Sequence, residues 1–253
     1  MSEVLRGAEP FSAEGGRVGV LVVHGFTGCP QSMRPLAEAL AGEGFTVELP
    51  RLPGHGTSID DMLTTRWADW SAAAEDAYRE LAARCDRVVV TGLSMGGTLT
   101  LWLATRHPEI AGIVPINAAA QFPPDMREGL TAAQGAGAEV IDAVGGDIAD
   151  PDATELAYDK TPVAPLLSLL DAVEELADGL ASIRCPALVV VSDQDHVVEP
   201  SSSDVIAERV SGPVEVLRLA RSYHVATLDH DRDLIAQRAI EFVRRVTDGA
   251  AAS

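Results

Sequence analysis

Basic residues are scarce in this sequence of 253 amino acids. Its 19 lysines and arginines stand against 38 aspartates and glutamates, which gives a formal net charge of −19 at pH 7. This charge repels nucleic acid phosphates and anionic lipid headgroups, and no local cluster of Lys and Arg offsets it. We therefore expect no nucleic acid partner.

Cysteines are few as well, and their spacing excludes the common metal and redox motifs. Cys29, Cys85 and Cys185 are an odd number, lie far apart and form no CxxC pair. We interpret them as free thiols. The sequence also lacks a cluster of metal-ligand residues and a glycine loop that would cradle a phosphate, so we expect neither a metal nor a cofactor.

Long apolar runs are also absent. The stretches Val18–Val23 and Ala187–Val191 fall far short of the roughly 18 residues that are typical of a membrane span. The N-terminal segment MSEVLRGAEPFSAEGG has no basic part followed by an apolar part, so it predicts no secretory signal. Together these features predict a cytoplasmic protein without a transmembrane segment.

The apolar residues that are present form short runs between helical patterns. Because 47% of the residues are hydrophobic, the chain is able to bury one large core, and we expect residues 1–253 to form a single domain. The runs predict strands at Val18–Val23, Thr46–Leu49, Val88–Thr91, Ile110–Ile116, Ala187–Ser192 and Val214–Leu219. Continuous apolar strands that alternate with helices predict an α/β fold, with a mostly parallel central sheet and helices on both faces.

One interval breaks this alternation. No strand pattern is visible between Asn117 and Cys185, and the interval begins with a stretch rich in proline and glycine. Its last part has apolar residues at helical spacing, namely Leu166, Leu169, Leu170, Val173, Leu176 and Leu180. This spacing predicts helices that lie over the sheet. We interpret residues 118–182, approximately, as a small helical cap insertion.

The segment Gly92–Gly96 reads GLSMG and matches the pattern G-x-S-x-G. The pattern alone is weak, because chance produces it in roughly one chain in ten. Here, however, the strand pattern Val88–Thr91 runs into the segment and the helix pattern Thr98–Arg106 runs out of it. A serine on so tight a turn projects its hydroxyl above the sheet, which makes Ser94 a candidate nucleophile. The alternative is a glycine-rich turn whose serine only caps the helix.

A serine nucleophile needs a histidine as its base, and in this arrangement the acid and then the base follow the serine in the chain. Three histidines come after Ser94. His196 adjoins the candidate acids too closely to turn back onto them, and His230 is better placed to open the last helix. His224 lies in the loop after strand Val214–Leu219, at the carboxyl edge of the sheet where such sites gather. The sequence therefore favours His224, against the alternative of a loop histidine that bonds only to the backbone.

The acid is expected after the preceding strand, where the segment Ser192–Val198 reads SDQDHVV and offers two carboxylates. Asp195 directly precedes residues that are able to turn back into the core and anchor the loop. We therefore favour Asp195 as the residue that orients the base and keep Asp193 in reserve.

An oxyanion requires two N–H donors, usually from the residue after the nucleophile and from the loop after the first central strand. Met95 supplies the first of these. Strand Val18–Val23 enters the loop His24–Gly28, HGFTG, so the N–H of Phe26 is the expected second donor. We interpret His24 as a structural residue that braces this loop by hydrogen bonds, and His55 in the segment PGHG in the same way.

Longer strings narrow the interpretation further: HGFTGCPQSMRPLAEAL, LPRLPGHGT, TGLSMGGTLTL, VPINAA, ELAYDKTP, CPALVVVSDQDHVVEP and SYHVATLD. With these strings the chain resembles the bacterial monoacylglycerol lipases and related small carboxylesterases of the α/β-hydrolase superfamily. The resemblance runs from about Val20 to the last helix and is loose near residues 121–146. It implies the α/β-hydrolase fold and, as the substrate, a monoacylglycerol or another ester with a single acyl chain. A monoacylglycerol would be hydrolysed through an acyl-enzyme to a free fatty acid and glycerol.

The resemblance also assigns residues. It implies that Ser94, Asp195 and His224 are the catalytic triad and that Phe26 and Met95 form the oxyanion hole. Two further residues are implied by the resemblance alone. Glu155 corresponds to the residue that holds the glycerol hydroxyls, and Val144 to a cap residue that lines the substrate entrance. From its residue type alone, Glu155 would equally well be a solvated charge on a short helix.

Two other functions stay open at this stage. A general carboxylesterase for short-chain esters would have the same catalytic residues and differ only in what the cap admits. A hydrolase-fold protein that binds a ligand without turning it over is the alternative of a different class, and multiple turnover of any ester would exclude it. The sequence does not indicate the oligomeric state.

Overall fold

The computed structural model describes residues 2–143 and 146–248, and its centre is a seven-stranded sheet. The strands in chain order are β1 (Phe11–Ala13), β2 (Val18–Val23), β3 (Thr46–Leu49), β4 (Arg87–Leu93), β5 (Gly112–Ile116), β6 (Val140–Asp142), β7 (Lys160–Pro162), β8 (Ala187–Ser192) and β9 (Val214–Leu219). Strands β6 and β7 form a separate two-stranded sheet, and the others make up the central one in the order β1-β3-β2-β4-β5-β8-β9.

The central sheet is parallel except at one edge, where β1 pairs with β3 in the antiparallel direction. Every residue of β5 and β8 is buried, as expected for strands that are covered on both faces. The predicted α/β fold with a mostly parallel sheet is confirmed. The edge strand β1 was not predicted, because its three residues, two half-buried and one exposed, form no apolar run.

Helices cover both faces of the sheet: α1 (Arg34–Gly42), α2 (Ile59–Leu63), α3 (Trp67–Ala82), α4 (Met95–Arg106), α5 (Pro124–Gly135), α6 (Val163–Gly179), α7 (Ser201–Arg209) and α8 (Arg232–Asp248). Alternate residues of β2 enter two separate cores, with Leu21 in the core beneath α3 and α4, and Val22 in the core beneath α1 and α8. Within the described residues, no helix combines the length and the apolar composition that crossing a bilayer requires.

The interval that was interpreted as a helical cap contains α5 and α6, which pack on each other through Leu130, Val163 and Leu170. It also contains the hairpin of β6 and β7, in which Val140 lies opposite Pro162. The expectation that this interval holds no strand is therefore wrong. A strand of three residues is too short to show an alternating pattern, and here the pairing joins segments about twenty residues apart.

Candidate active site

Ser94 lies at the sharp turn between β4 and α4 and has a backbone that serine rarely adopts. Its φ is 56° and its ψ is −119°, outside the regions that L-residues favour, so the surrounding structure must hold it there. The neighbouring glycines are required by close packing. A Cβ atom on Gly96 would lie 2.2 Å from the carbonyl oxygen of Val23. The turn therefore lifts Ser94 above the carboxyl edge of the sheet while α4 starts directly beneath β2.

His224 and Asp195 form a buried pair at the same edge. His224 Nδ1 lies 2.8 Å from Asp195 Oδ2, and the two side chains are 8% and 2% exposed. The other oxygen of Asp195 accepts the backbone N–H groups of Val197 and Val198, each at 2.8 Å. Because an ionised carboxylate only accepts hydrogen bonds, Nδ1 of His224 must carry a proton, and Nε2 is then free to accept one.

The other carboxylate of this loop faces away from the histidine. Asp193 Oδ1 accepts a hydrogen bond from Arg218 at 2.9 Å, and its side chain is 43% exposed. The structure thus brings His224 together with Asp195 and leaves Asp193 at the surface.

The loop that follows β2 is braced by two buried histidines. Nε2 of His24 accepts the backbone N–H of Leu52 at 3.1 Å, so its Nδ1 donates to the carbonyl of Gly25 at 3.0 Å. Burial lowers the pKa of His24 to about 4, with Gly25 acting against and Arg51 acting with that shift, so the ring is neutral at pH 7. Burial likewise lowers the pKa of His55, whose ring packs edge-on against His24 with 5.0 Å between centroids.

This bracing bears on the expected oxyanion hole. The carbonyl of Gly25 and the N–H of Phe26 belong to one planar trans peptide, so fixing the carbonyl also fixes the direction of the N–H. Phe26 and Met95 both border the cavity described next. His24 thus acts through the backbone and holds the peptide whose N–H is the candidate donor.

A cavity of about 300 Å³ opens between the sheet edge and the cap. Ser94, His224 and Glu155 border it together with the two candidate oxyanion donors. Its apolar wall comes mainly from the cap, with Phe122, Met126, Leu130, Ile141, Leu166 and Leu169. The cavity therefore joins a polar end, where Ser94 and His224 lie, to an apolar channel. Among the described residues, no group of three or more His, Cys, Asp and Glu side chains is arranged to hold a metal ion.

Glu155 is a buried carboxylate beside the polar end of this cavity. Burial raises the pKa of Glu155, while the charge of His224 and the N–H of Gly146 act in the opposite direction. A Cβ atom on Gly28 would lie 2.9 Å from Glu155 Oε1, so the carboxylate lies close against the loop that carries Phe26. Val144, the other cap residue expected from the resemblance, lies outside the described residues.

Hydrogen bonds tie the segment around Glu155 to that same loop and to the short turn, Pro30–Ser32, that follows it. The amide of Gln31 accepts the N–H of Leu156 at 3.0 Å and donates to the carbonyl of Thr154 at 2.9 Å. The N–H of Tyr158 donates to the carbonyl of Thr27 at 3.1 Å. These bonds hold Glu155 in place beside the cavity from both sides.

Known proteins resemble this chain in sequence and in fold. The family described as "Serine aminopeptidase, S33" matches residues 16–231. A thermostable monoacylglycerol lipase of Bacillus sp. (strain H-257) is 54% identical over 94% of this chain and 95% of its own length. The chain belongs to the α/β-hydrolase superfamily.

Two further relatives of this hydrolase are informative. A carboxylesterase of Bacillus subtilis (strain 168) is 30% identical over 94% of this chain and 97% of its own length. A solved structure from work on the metagenome-derived lipolytic enzymes LipS and LipT is 44% identical, with a TM-score of 0.93 over 96% of this chain and all of that one.

Two residues that hold the candidate base, His224, were not recognised from the sequence. Asn117 has a φ of 44° at the end of β5. Its Nδ2 donates to the carbonyl of His224 at 2.8 Å, and its Oδ1 accepts the N–H of Ser192 at 2.8 Å. Asp147, in the cap, accepts the N–H of His224 at 3.1 Å. An asparagine directly after a buried strand was the available signal for Asn117, whereas no local pattern marks Asp147.

Asp229 links the cap to the loop of His224. It accepts four backbone N–H groups at 2.7–3.0 Å, from Ala149, Asp150, Tyr223 and His230. Burial acts to raise the pKa of Asp229, but these four donors outweigh it, and the pKa lies below its usual value. A carboxylate with a lowered pKa in the folded state stabilises the fold above its unfolded pKa, about 3.9, and loses that effect as the pH falls further.

We expect Asp229→Asn to lower the free energy of unfolding by about 3 kcal/mol at neutral pH, because its NH₂ group would face two N–H donors. The difference from the wild type should shrink once the pH falls below about 4. Urea denaturation at both pH values measures this. Asp233→Asn is the matched control, since the Asp233 side chain is fully exposed and its loss should cost less than about 0.5 kcal/mol. A constant difference at both pH values would contradict the prediction.

Proposed function

We propose that this protein is a serine ester hydrolase that acts on monoacylglycerols. The observation that carries the proposal is the buried pair of His224 and Asp195, 2.8 Å apart, beside a cavity that Ser94 also borders. The apolar channel and the buried carboxylate of Glu155 support the choice of substrate, as does the identity of 54% with a monoacylglycerol lipase.

In the first half of the reaction, the hydroxyl oxygen of Ser94 attacks the ester carbonyl and His224 Nε2 takes the hydroxyl proton. Asp195 stabilises the resulting imidazolium through Nδ1. The negative charge on the carbonyl oxygen is held by the N–H groups of Phe26 and Met95. The intermediate then collapses, the ester C–O bond breaks, and His224 gives its proton to the departing glycerol oxygen.

In the second half, water replaces glycerol. His224 takes a proton from the water as its oxygen attacks the acyl-enzyme, and the same two N–H groups hold the second oxyanion. Collapse breaks the bond to Ser94, which regains the proton from His224, and a free fatty acid leaves. The net reaction is therefore the hydrolysis of one ester bond.

The two parts of the substrate match the two parts of the cavity. The acyl chain fits the apolar wall of the cap, and a cavity of about 300 Å³ has room for one chain and a small head. Glu155 accepts hydrogen bonds from the glycerol hydroxyls, each contributing about 1.5–3 kcal/mol when the acceptor is charged. We therefore propose that medium-chain monoacylglycerols are preferred to di- and triacylglycerols.

Glu155→Gln tests the assignment of the head group. We expect it to lower kcat/KM for monoacylglycerol about tenfold, because a neutral amide binds hydroxyl groups more weakly than a carboxylate. The p-nitrophenyl ester of the same acyl chain offers Glu155 no hydroxyl, so its kcat/KM should stay nearly unchanged. The ratio of the two values is the measurement.

Glu139→Gln serves as the control, because Glu139 is an exposed cap residue that does not border the cavity. Equal losses on both substrates would mean that Glu155 only supports the fold of the cap. No loss on either would mean that Glu155 has no role in binding the head group.

A general carboxylesterase is the second candidate, favoured by the 30% identity with the Bacillus subtilis carboxylesterase. It would use the same triad and oxyanion donors. A kinetic screen of monoacylglycerols and simple esters across acyl chain lengths separates the two, since a preference for short simple esters would favour the carboxylesterase. Absence of multiple turnover on any ester would instead favour a protein that only binds its ligand.

A further inference from the structure

Asp147 is a cap residue whose carboxylate contacts both loops of the catalytic pair. Its Oδ2 accepts the backbone N–H of His224 and that of His196, each at 3.1 Å. Its Oδ1 lies 2.8 Å from Nδ1 of His196. The carbonyl oxygen of Asp147 also accepts the N–H of Val225 at 3.0 Å. One residue of the cap thus bonds to the residue after Asp195 and to the histidine that Asp195 orients.

The carboxylate of Asp147 is shielded from solvent, whereas the side chain of its partner His196 is not. The side chain of Asp147 is 14% exposed, whereas that of His196 is 59% exposed. The ring of His196 packs edge-on against Tyr223, with 4.6 Å between centroids. Solvent therefore reaches the ring that bonds to Asp147, whereas the carboxylate itself is largely shielded.

We propose that Asp147 is a positioning residue that docks the cap onto the catalytic pair, and that its charge, balanced by His196, sets the pH at which His224 becomes protonated. The inference rests on the proposed roles of Ser94, Asp195 and His224. It gives the cap a second role, the positioning of the catalytic base, in addition to binding of the substrate.

The charges around His224 decide what each substitution should do. Three carboxylates act on this histidine: Asp195 pairs with its ring, Asp147 accepts its backbone N–H, and the charge of Glu155 interacts with it. His196 bonds to Asp147 and packs against Tyr223. Asp147→Asn removes a negative charge, so protonation of His224 becomes less favourable and the acidic limb of the rate profile moves to lower pH. His196→Gln removes the cation that offsets Asp147 in acid, so the limb moves to higher pH. A purely structural role for Asp147 would not produce opposite shifts.

The test is the rate at which an organophosphonate labels Ser94, followed by intact mass between about pH 5 and about pH 9. One label per active chain corrects for any unfolded fraction, and the reaction depends on His224 but not on the identity of the natural ester. At about pH 8 we expect Asp147→Asn to slow labelling about tenfold, because two backbone N–H groups lose their charged acceptor.

His230→Gln is the matched control. His230 faces Asp150, three residues after Asp147, with 3.9 Å between Nδ1 and Oδ2, and it does not border the cavity. We expect this variant to label at the wild-type rate with an unchanged acidic limb, and His196→Gln to keep most of the rate at about pH 8. Because His196 is largely exposed, its variant decides the proposal even if Asp147→Asn fails to fold.

The proposal would be overturned if the acidic limbs of Asp147→Asn and His196→Gln moved in the same direction. It would also be overturned if the limb of His196→Gln stayed in place. Wild-type labelling rates in Asp147→Asn would overturn it as well. Failure of the proposed function looks different, because the wild type itself would then take up no phosphonate, or would carry it on a residue other than Ser94.

Discussion

Ser94→Ala is expected to lower kcat for ester hydrolysis about 10⁶-fold, the scale seen when a serine hydrolase loses its nucleophile. Alanine has no hydroxyl to attack the ester, and the remaining His224 and Asp195 have no proton to relay. The fold should survive, because alanine adds no bulk at a turn where Ser94 already has a positive φ. Hydrolysis of a monoacylglycerol, measured alongside the thermal unfolding midpoint, tests both statements.

The control for this variant is Ser201→Ala, at an exposed serine that begins α7. It should retain full activity and full labelling by an organophosphonate. In Ser94→Ala the label should be lost entirely. A residual kcat above a few per cent of wild type, or a label that persists in Ser94→Ala, would mean that another residue is the nucleophile.

Asp195→Asn is expected to lower kcat by about 10⁴-fold, as the same change does in a serine protease. The hydrogen bonds around position 195 fix the orientation of the new amide, and that orientation is unfavourable for His224. Oδ1 must remain an acceptor for the N–H groups of Val197 and Val198, so the NH₂ group is directed at His224 Nδ1. The imidazole then carries its proton on Nε2, where it is unable to accept one from Ser94.

Asp193→Asn provides the comparison within the same loop. Asp193 pairs with Arg218 at the surface, where such a pair contributes about 0–1 kcal/mol, so kcat should change little. Both variants lose one negative charge, which leaves the position of the carboxylate as the difference between them. A larger loss in Asp193→Asn than in Asp195→Asn would assign the acid to Asp193.

Much of the sheet could be predicted because its inner strands, such as β2 and β8, are buried on both faces and therefore read as continuous apolar runs. The edge strand β9 is partly exposed and reads as an interrupted run of Val and Leu. The bounds of β2, β3, β8 and β9 match the predicted strands residue for residue. The strands that were missed have three residues each, and β6 and β7 belong to a hairpin in the cap. Pairing between distant segments, and not a local pattern, holds such strands in place.

In the candidate site, too, residues in local patterns could be predicted and residues held by distant contacts could not. Ser94 and Asp195 each lie in a short segment whose neighbours point to a role, namely glycines around a turn and a strand that precedes a loop. Asp147 contacts His224 across 77 positions of the chain, and Asn117 contacts it across 107. No spacing in the sequence encodes these contacts, because they depend on how the cap and the loops fold onto the sheet.

The composition of the cavity wall bears on how a catalytic cycle ends. Among its described residues the wall holds Asp142, Asp147 and Glu155 but no lysine or arginine. The substrate proposed here is neutral, whereas its fatty acid product is an anion at pH 7. Hydrolysis thus creates a negative charge beside the carboxylates of Asp147 and Glu155, in a cavity whose wall has no lysine or arginine to pair with it. Cleavage of the ester bond therefore weakens the binding of the acyl group in the cavity, which favours release of the fatty acid.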